Sequence, residues 1–260
     1  MNTLVFDIET VPDVEFGRKL YELGDLSDAD VATVMFTKQR QLKGSDFLPP
    51  PQQRIVAISA VMRSREGIKI FSLGDEQSPE RELVQRFFDG LEKYTPVLVS
   101  WNGSGFDLPV LNYRALKHGV SAHKYWEVGE TDRDFRYNNY LSRFHWRHMD
   151  LMDVLSGYGA SSRASLDTAA QLIGLPGKLG IGGAQVWSAY QRGELAAIRD
   201  YCETDVLNTY LIYLRFQLVR GELDTHAYQG ELQQVEAKLE QSDRPHLTLY
   251  LETWRKTRAG

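Results

Sequence analysis

The sequence predicts an α/β protein: a mixed sheet with a mainly parallel core, flanked by helices and closed by a C-terminal helical extension. Three observations carry this expectation. Runs rich in branched and aromatic residues recur at 3–10, 54–62, 68–73 and 96–101. Helical patterns precede and follow the last of these runs, and strand–helix alternation builds layered, parallel sheets. A short link at Arg65-Glu66-Gly67 joins two of the runs, which makes that pair an antiparallel hairpin and the sheet mixed.

The elements follow in order. Thr3-Leu4-Val5-Phe6-Asp7-Ile8-Glu9-Thr10 reads as a strand, and Val11-Pro12-Asp13 as a turn. Residues 16–42 are polar with helical spacing and lead to Pro49-Pro50-Pro51, so 13–50 reads as a helical insertion with a stiff connector. The hairpin at 54–73 comes next. Ser78-Pro79-Glu80-Arg81 opens a helix to about Tyr94, with Ser78 as N-cap and Pro79 in first position. A buried strand at 96–101, a loop at 102–105 and a helix from Phe106-Asp107 to about His118 follow. Residues 121–148 look irregular, and His148-Met149-Asp150-Leu151 reads as a strand end or a helix start. Helices are expected near 165–174 and 183–192, then a long one over 194–220, then two amphipathic ones near 226–241 and 246–257. Leu232, Val235, Leu239, Leu247, Tyr250, Leu251 and Trp254 recur at helical spacing, so the tail is expected to pack on the same domain. The expected organisation is one domain over 1–221 carrying the insertion, with the helices of 222–260 against it.

Bulk properties narrow the classes. The 260 residues allow a substantial core, and 42% hydrophobic with 25% charged residues is ordinary for a globular protein. No run is apolar enough to span a bilayer, so no membrane partner is expected. The N-terminus lacks a secretory pattern. Cys202 is the single cysteine, which excludes an intrachain disulfide and a cysteine-rich zinc site. A cytoplasmic location fits these features. A net charge of −5 argues against coating nucleic acid by bulk charge, but leaves room for gripping one strand end.

The acids are the informative part. Strand side chains alternate, so Asp7 and Glu9 share a face opposite Leu4, Phe6 and Ile8. Two acids there repel and are costly to desolvate, and a hard divalent cation relieves both problems. Asp107 opens a helix just after a strand, where open α/β sheets place their sites. Tyr201 and Asp205 lie four apart on the long helix and share a face. Each has a plain alternative: a solvated strand face, a partner of the helix dipole, and an exposed helix pair.

The order is more specific than its parts: Phe6-Asp7-Ile8-Glu9-Thr10, then Asn102-x-x-x-Phe106-Asp107, then Tyr201-x-x-x-Asp205. This resembles the DEDD superfamily of 3′→5′ exonucleases, in its DEDDy branch because of the tyrosine. The first two motifs are most similar to the proofreading domain of B-family DNA polymerases. Asp150 resembles an acid found there between the second and third motifs. The resemblance spans roughly 1–220, and no polymerase domain follows, so a free-standing exonuclease is expected.

The resemblance implies a ribonuclease-H-like sheet and two divalent ions, Mg²⁺ or Mn²⁺. Asp7, Glu9, Asp107 and Asp205 would be the metal ligands, and Tyr201 would orient the attacking water. Thr10 and Asn102 are candidates for the terminal nucleotide, and Phe106 for base stacking or for packing. The stretch 133–147 interleaves arginines with rings, including Arg136 and Arg143, as single-strand grooves do; its alternative is a surface loop whose rings pack inward. Lys178, on the glycine-rich stretch 176–183, is a candidate phosphate contact. The expected activity is release of nucleoside monophosphates from single-stranded or frayed 3′ ends, with DNA favoured. The competing readings are a binding module on an inactive nuclease scaffold and an endonuclease of the same fold.

Overall fold

The sheet has five strands in the order β3-β2-β1-β4-β5. They are β1 (Thr3–Pro12), β2 (Gln53–Ser64), β3 (Gly67–Ser72), β4 (Val97–Ser100) and β5 (His148–Asp150) in a computed structural model that describes residues 2–259. β2 runs antiparallel to both β1 and β3, while β4 is parallel to both β1 and β5. The expected mixed sheet and its hairpin are therefore present. The helices are α1 (Val14–Leu20), α2 (Asp28–Lys43), α3 (Glu80–Tyr94), α4 (Asp107–His118), α5 (His123–Trp126), α6 (Leu151–Leu155), α7 (Leu166–Leu172), α8 (Val186–Gln191), α9 (Leu195–Val219), α10 (Thr225–Glu240) and α11 (Pro245–Ala259). Among the described residues no helix is long and apolar enough to cross a membrane.

Alternation along β1 sends its side chains into two cores. Leu4, Phe6 and Ile8 pack with Phe87 and Phe88 of α3 and Leu108 and Leu111 of α4. Val5 faces the other way, with Val206, Leu207 and Tyr210 of α9. Each such side chain contributes about 1.5–3 kcal/mol on burial, which fixes which face of β1 meets α9. Leu232 and Val235 of α10 and Leu247, Tyr250 and Trp254 of α11 belong to the same core as α9. That helix is consequently buried along most of its length. Polar groups on its sheet-facing side are held away from water.

Several local expectations change. No turn interrupts 11–13: β1 continues, with Val11 opposite Arg54 and Pro12 opposite Gln53. Pairing with β2 and burial of Val11 at 2% exposure outweigh the turn chemistry. Asp13 instead caps α1, accepting the Phe16 N–H at 3.1 Å. Ser78 does not cap α3; its hydroxyl accepts the Asp75 N–H at 3.0 Å, and the helix starts after Pro79. The stretch 148–151 is both of its alternatives, a three-residue strand running straight into α6. Within 121–148, Tyr125, Phe135 and Tyr140 are core residues, so only part of that aromatic stretch is available at the surface.

The insertion is built around α1 and α2, which close over Val31, Met35 and Leu48. Gly17 permits the contact, because a Cβ there would lie 2.3 Å from Met35 Sδ. A buried ion network ties the root of the insertion to the sheet. Arg114 of α4 donates to Asp13 at 2.6 Å and also to Glu80 of α3. Glu80 in turn accepts the Ile55 N–H of β2 at 2.7 Å.

Candidate active site

The site forms where β1 and β4 part. Their parallel pairing covers only Thr3–Val5, so the later N–H groups on that edge of β1 need other partners. The Ile8 N–H finds Asp107 Oδ1 at 3.1 Å. A register shift against β2 between Glu9 and Thr10 marks a bulge, a device that re-aims side chains beside sites.

Asp107 is placed by the loop before α4. Asn102 adopts φ +65°, a left-handed conformation that Asn tolerates better than most residues. Its carbonyl accepts the N–H groups of Gly105 and Phe106 at 2.9 and 3.0 Å. Asp150 then clamps the turn: Oδ1 accepts the Asn102 N–H and Oδ2 the Ser104 N–H, both at 2.9 Å. Asp150 Oδ1 also accepts the Met152 N–H at the start of α6. Asp150 thus holds the loop that delivers Asp107.

From the other side α9 brings Tyr201, Cys202 and Asp205. The Cys202 Sγ lies 3.5 Å from both the backbone oxygen and Oδ2 of Asp7. Ligand atoms of Asp7, Glu9 and Cys202 all fall within 4.8 Å of one another. Cys202 was not among the expected site residues. Its position three residues before Asp205, on the same helix face, is the signal that would have found it.

The electrostatics match four acids forced together. Glu9, Asp107 and Asp205 are buried and Asp7 is partly exposed. Desolvation raises the Asp7 carboxyl well above its usual range, and the charges of Asp107, Glu9 and Asp205 add to it. Glu9 is raised by desolvation, then by Asp205 and Asp107, with Lys178 pulling the other way. Burial pushes Asp107 up to about 7 and Asp205 up to about 6. The Tyr201 phenol is raised by burial and by the Asp205 and Glu9 charges, so it remains a donor. Among the described residues, Asp205 Oδ1 is buried without a hydrogen-bond partner. A buried carboxylate oxygen left unpaired amid like charges is what a divalent cation would satisfy, so these residues fit a metal centre.

The remaining expected residues divide. Thr10 and Phe106 line a cavity of about 610 Å³ together with Glu9. The Thr10 hydroxyl donates to Gln53 Oε1 at 2.8 Å. Asn102 shapes the Asp107 loop and does not line that cavity. Lys178 sits on an exposed loop, and its charge lowers both Glu9 and Asp205. Two bonds hold this loop: the Lys178 N–H to Asp167 at 2.8 Å, and Asn208 Nδ2 to the Gly177 carbonyl at 2.9 Å. Asn208 is itself fixed by the Tyr250 hydroxyl of α11 at 2.7 Å. Arg136 and Arg143 do not line the Glu9 cavity. Arg136 lies over Tyr137, and Arg143 pairs with buried Asp153 at 2.8 Å beside a second cavity.

The family described as "Predicted 3'-5' exonuclease related to the exonuclease domain of PolB" matches residues 45–254. The chain belongs to this family. Asp107, Tyr201 and Asp205 fall inside the stretch matched to the PolB-related exonuclease family, while Asp7 and Glu9 precede it. This member of the family is 22% identical to a DNA polymerase of Archaeoglobus fulgidus over 75% of its length and 25% of the polymerase. A shorter stretch, 30% of the chain and 8% of the relative, is 35% identical to DNA polymerase 1 of Saccharolobus solfataricus. The solved family B DNA polymerase of the hyperthermophilic archaeon Pyrobaculum calidifontis aligns with a TM-score of 0.49 at 18% identity, over 84% of this chain and 24% of that one. The chain thus spans about a quarter of the Archaeoglobus relative at most.

Proposed function

We propose that the protein is a metal-dependent 3′→5′ exonuclease that releases nucleoside monophosphates from single-stranded or frayed 3′ ends, with DNA favoured. The observation that carries this reading is the convergence of Asp7, Glu9, Asp107 and Asp205 from β1, α4 and α9, with one buried Asp205 oxygen unpaired. Family membership supports the 3′→5′ direction, and the polymerase relatives favour DNA. In this reading residues 1–221 form the exonuclease domain and 222–260 pack on it.

Asp7, Glu9 and Asp205 would hold one Mg²⁺ or Mn²⁺ ion, and Asp107 with Asp7 a second; an all-carboxylate set suits these hard cations. Such ions, when bound, supply an activated water at neutral pH and neutralise charge building at the phosphate. The chain supplies the rest. Tyr201 keeps its proton and directs the attacking water by hydrogen bonding, a positioning role. The protonated Cys202 thiol donates to Asp7 and orients that carboxylate. The Lys178 charge acts on Glu9 and Asp205, and its side chain is available to a phosphate. Thr10 and Asn102 serve the terminal nucleotide, and Phe106 offers a ring to its base. Arg136 and Arg143 serve the strand beyond.

The test uses 5′-labelled single-stranded DNA and RNA of one sequence with Mg²⁺, Mn²⁺ or EDTA, beside an Asp7→Ala control. A metal-dependent ladder shortening from the 3′ end, absent in the control, supports the reading. Intact substrate in every lane, from folded protein that binds Mn²⁺, overturns it in favour of a binding module.

A further inference from the structure

We propose that Phe47, on the insertion between β1 and β2, forms a wall of the slot that receives the terminal base, so that the insertion selects unpaired strand ends. The inference rests on the exonuclease reading above and assigns a specificity role to a segment outside the three motifs. The cavity that touches Glu9 and Thr10 is also bounded by Phe47, by Phe106 before α4 and by Trp187 of α8. With Phe36 of α2, four rings meet at one opening beside Glu9. Its volume of about 610 Å³ lies within the range of small-molecule sites and is ample for one nucleoside.

Phe47 is held out by its neighbours. On one side Asp46 makes a two-pronged pair with Arg40 of α2, at 2.6 and 2.5 Å. On the other, Leu48 is 1% exposed and its carbonyl accepts Gln53 Nε2 at 2.9 Å. The ring between these anchors is 61% exposed. It meets Phe106 at 4.9 Å between centroids with the planes 54° apart, a tilted contact that leaves most of Phe47 open. A pinned segment that presents an open ring to a cavity beside the carboxylates is a pre-formed stacking surface.

The occupant follows from the neighbours. A phosphodiester at the acids directs its sugar and base away from them, and the adjoining walls are apolar and aromatic. Aromatic faces accept any base, because every base has a π-face. A base still paired in a duplex cannot enter, so the slot takes ends that are single-stranded or frayed. Stacking on Phe47 replaces the stacking the base loses on leaving its neighbour.

The test compares kcat/KM on 5′-labelled single strands identical except at the 3′ residue, which is either a normal nucleotide or an abasic sugar. Phe47→Leu is expected to lose about 5- to 50-fold on the base-bearing strand and less than about 2-fold on the abasic one. Phe47→Tyr, which keeps the ring, is expected to retain the preference. Equal losses on both strands, or an unchanged preference in Phe47→Leu, overturn the inference. Wild-type protein that cleaves neither strand overturns the exonuclease reading instead. The slot is then read without turnover, from quenching of a 3′-terminal 2-aminopurine. Quenching by wild type that Phe47→Leu lacks supports the slot, and equal signals overturn it.

Discussion

Asp107 reaches back across 99 residues of sequence to accept the Ile8 N–H at 3.1 Å. One of its oxygens is thereby fixed to the strand that carries Asp7 and Glu9. Strand and helix thus meet through a carboxylate whose charge is also part of the site.

Asp107→Asn separates these two duties, because an amide oxygen still accepts the Ile8 N–H while the charge is gone. The variant should fold, with a Tm in EDTA equal to or above wild type, since a buried charge among like charges is removed. It should lose the Mn²⁺-induced rise in Tm and at least about 100-fold in exonuclease rate. Thermal melts with and without metal, beside the 5′-label assay, check both.

The pH dependence has a definite sign. Asp107 is pushed up to about 7 and Asp205 up to about 6, against roughly 4 in an unfolded chain. Between those limits the metal-free folded protein binds more protons than the unfolded one, so stability falls as pH rises. The contribution is fully present below about pH 4 and lost on passing through about 6 to 7. In EDTA, Tm should therefore decline across this window. Metal needs the ionised carboxylates, so Mn²⁺ titrations at increasing pH should give progressively tighter midpoints.

Tyr201→Phe removes the hydroxyl and leaves the ring in its buried place. The expected loss in kcat is about 10- to 1,000-fold, smaller than for a metal ligand, with Mn²⁺ affinity within about 3-fold of wild type. Because the phenol is raised above its ordinary value, the pH–rate profile should show no tyrosine ionisation at neutral pH. Steady-state kinetics and metal titration on one preparation decide it.

Asp150→Ala withdraws acceptors from the Asn102 and Ser104 N–H groups. Stability should drop by about 1–3 kcal/mol, because two part-buried N–H groups lose their acceptor, and kcat should fall because the Asp107 loop loosens. A urea melt reads the first effect. A weaker Mn²⁺ midpoint separates loosening of the site from plain destabilisation.

Arg114→Ala leaves Asp13 and Glu80 buried without their shared cation. Lys117 still pairs with Asp13 and His118 with Glu80, so a loss of about 1–3 kcal/mol is expected, and denaturant unfolding measures it.

The parts legible in the sequence were those set by local pattern. The two faces of β1 follow from alternation alone, and the hairpin from its short link. The long α9 was visible from its length and apolar content. The acids stood out because charged residues are conspicuous in such elements. What escaped depends on contacts distant in sequence. Asp150 meets the 102–104 turn 46 and 48 residues away, from a strand too short to show a period. The register shift opposite Glu9 and Thr10, where Val56 of β2 has no partner, exists only in the pairing of the two strands. Cys202 becomes interesting only once α9 is laid against β1. Pro12 signalled a turn that a paired strand overrode, and Phe135 and Tyr140 of the stretch 133–147 proved to be core.

The bond from Tyr250 to Asn208 and on to Gly177 places the last helix behind the Lys178 loop. The shortest form that keeps the candidate site intact is therefore longer than the stretch that bears the motifs. A truncation designed from the motifs alone would keep every acid, yet strip α9 of its cover and leave the lysine loop without its splint. Natural drift in the tail should be read the same way: changes at Tyr250 reach the Lys178 loop from a helix that lies apart from the acids.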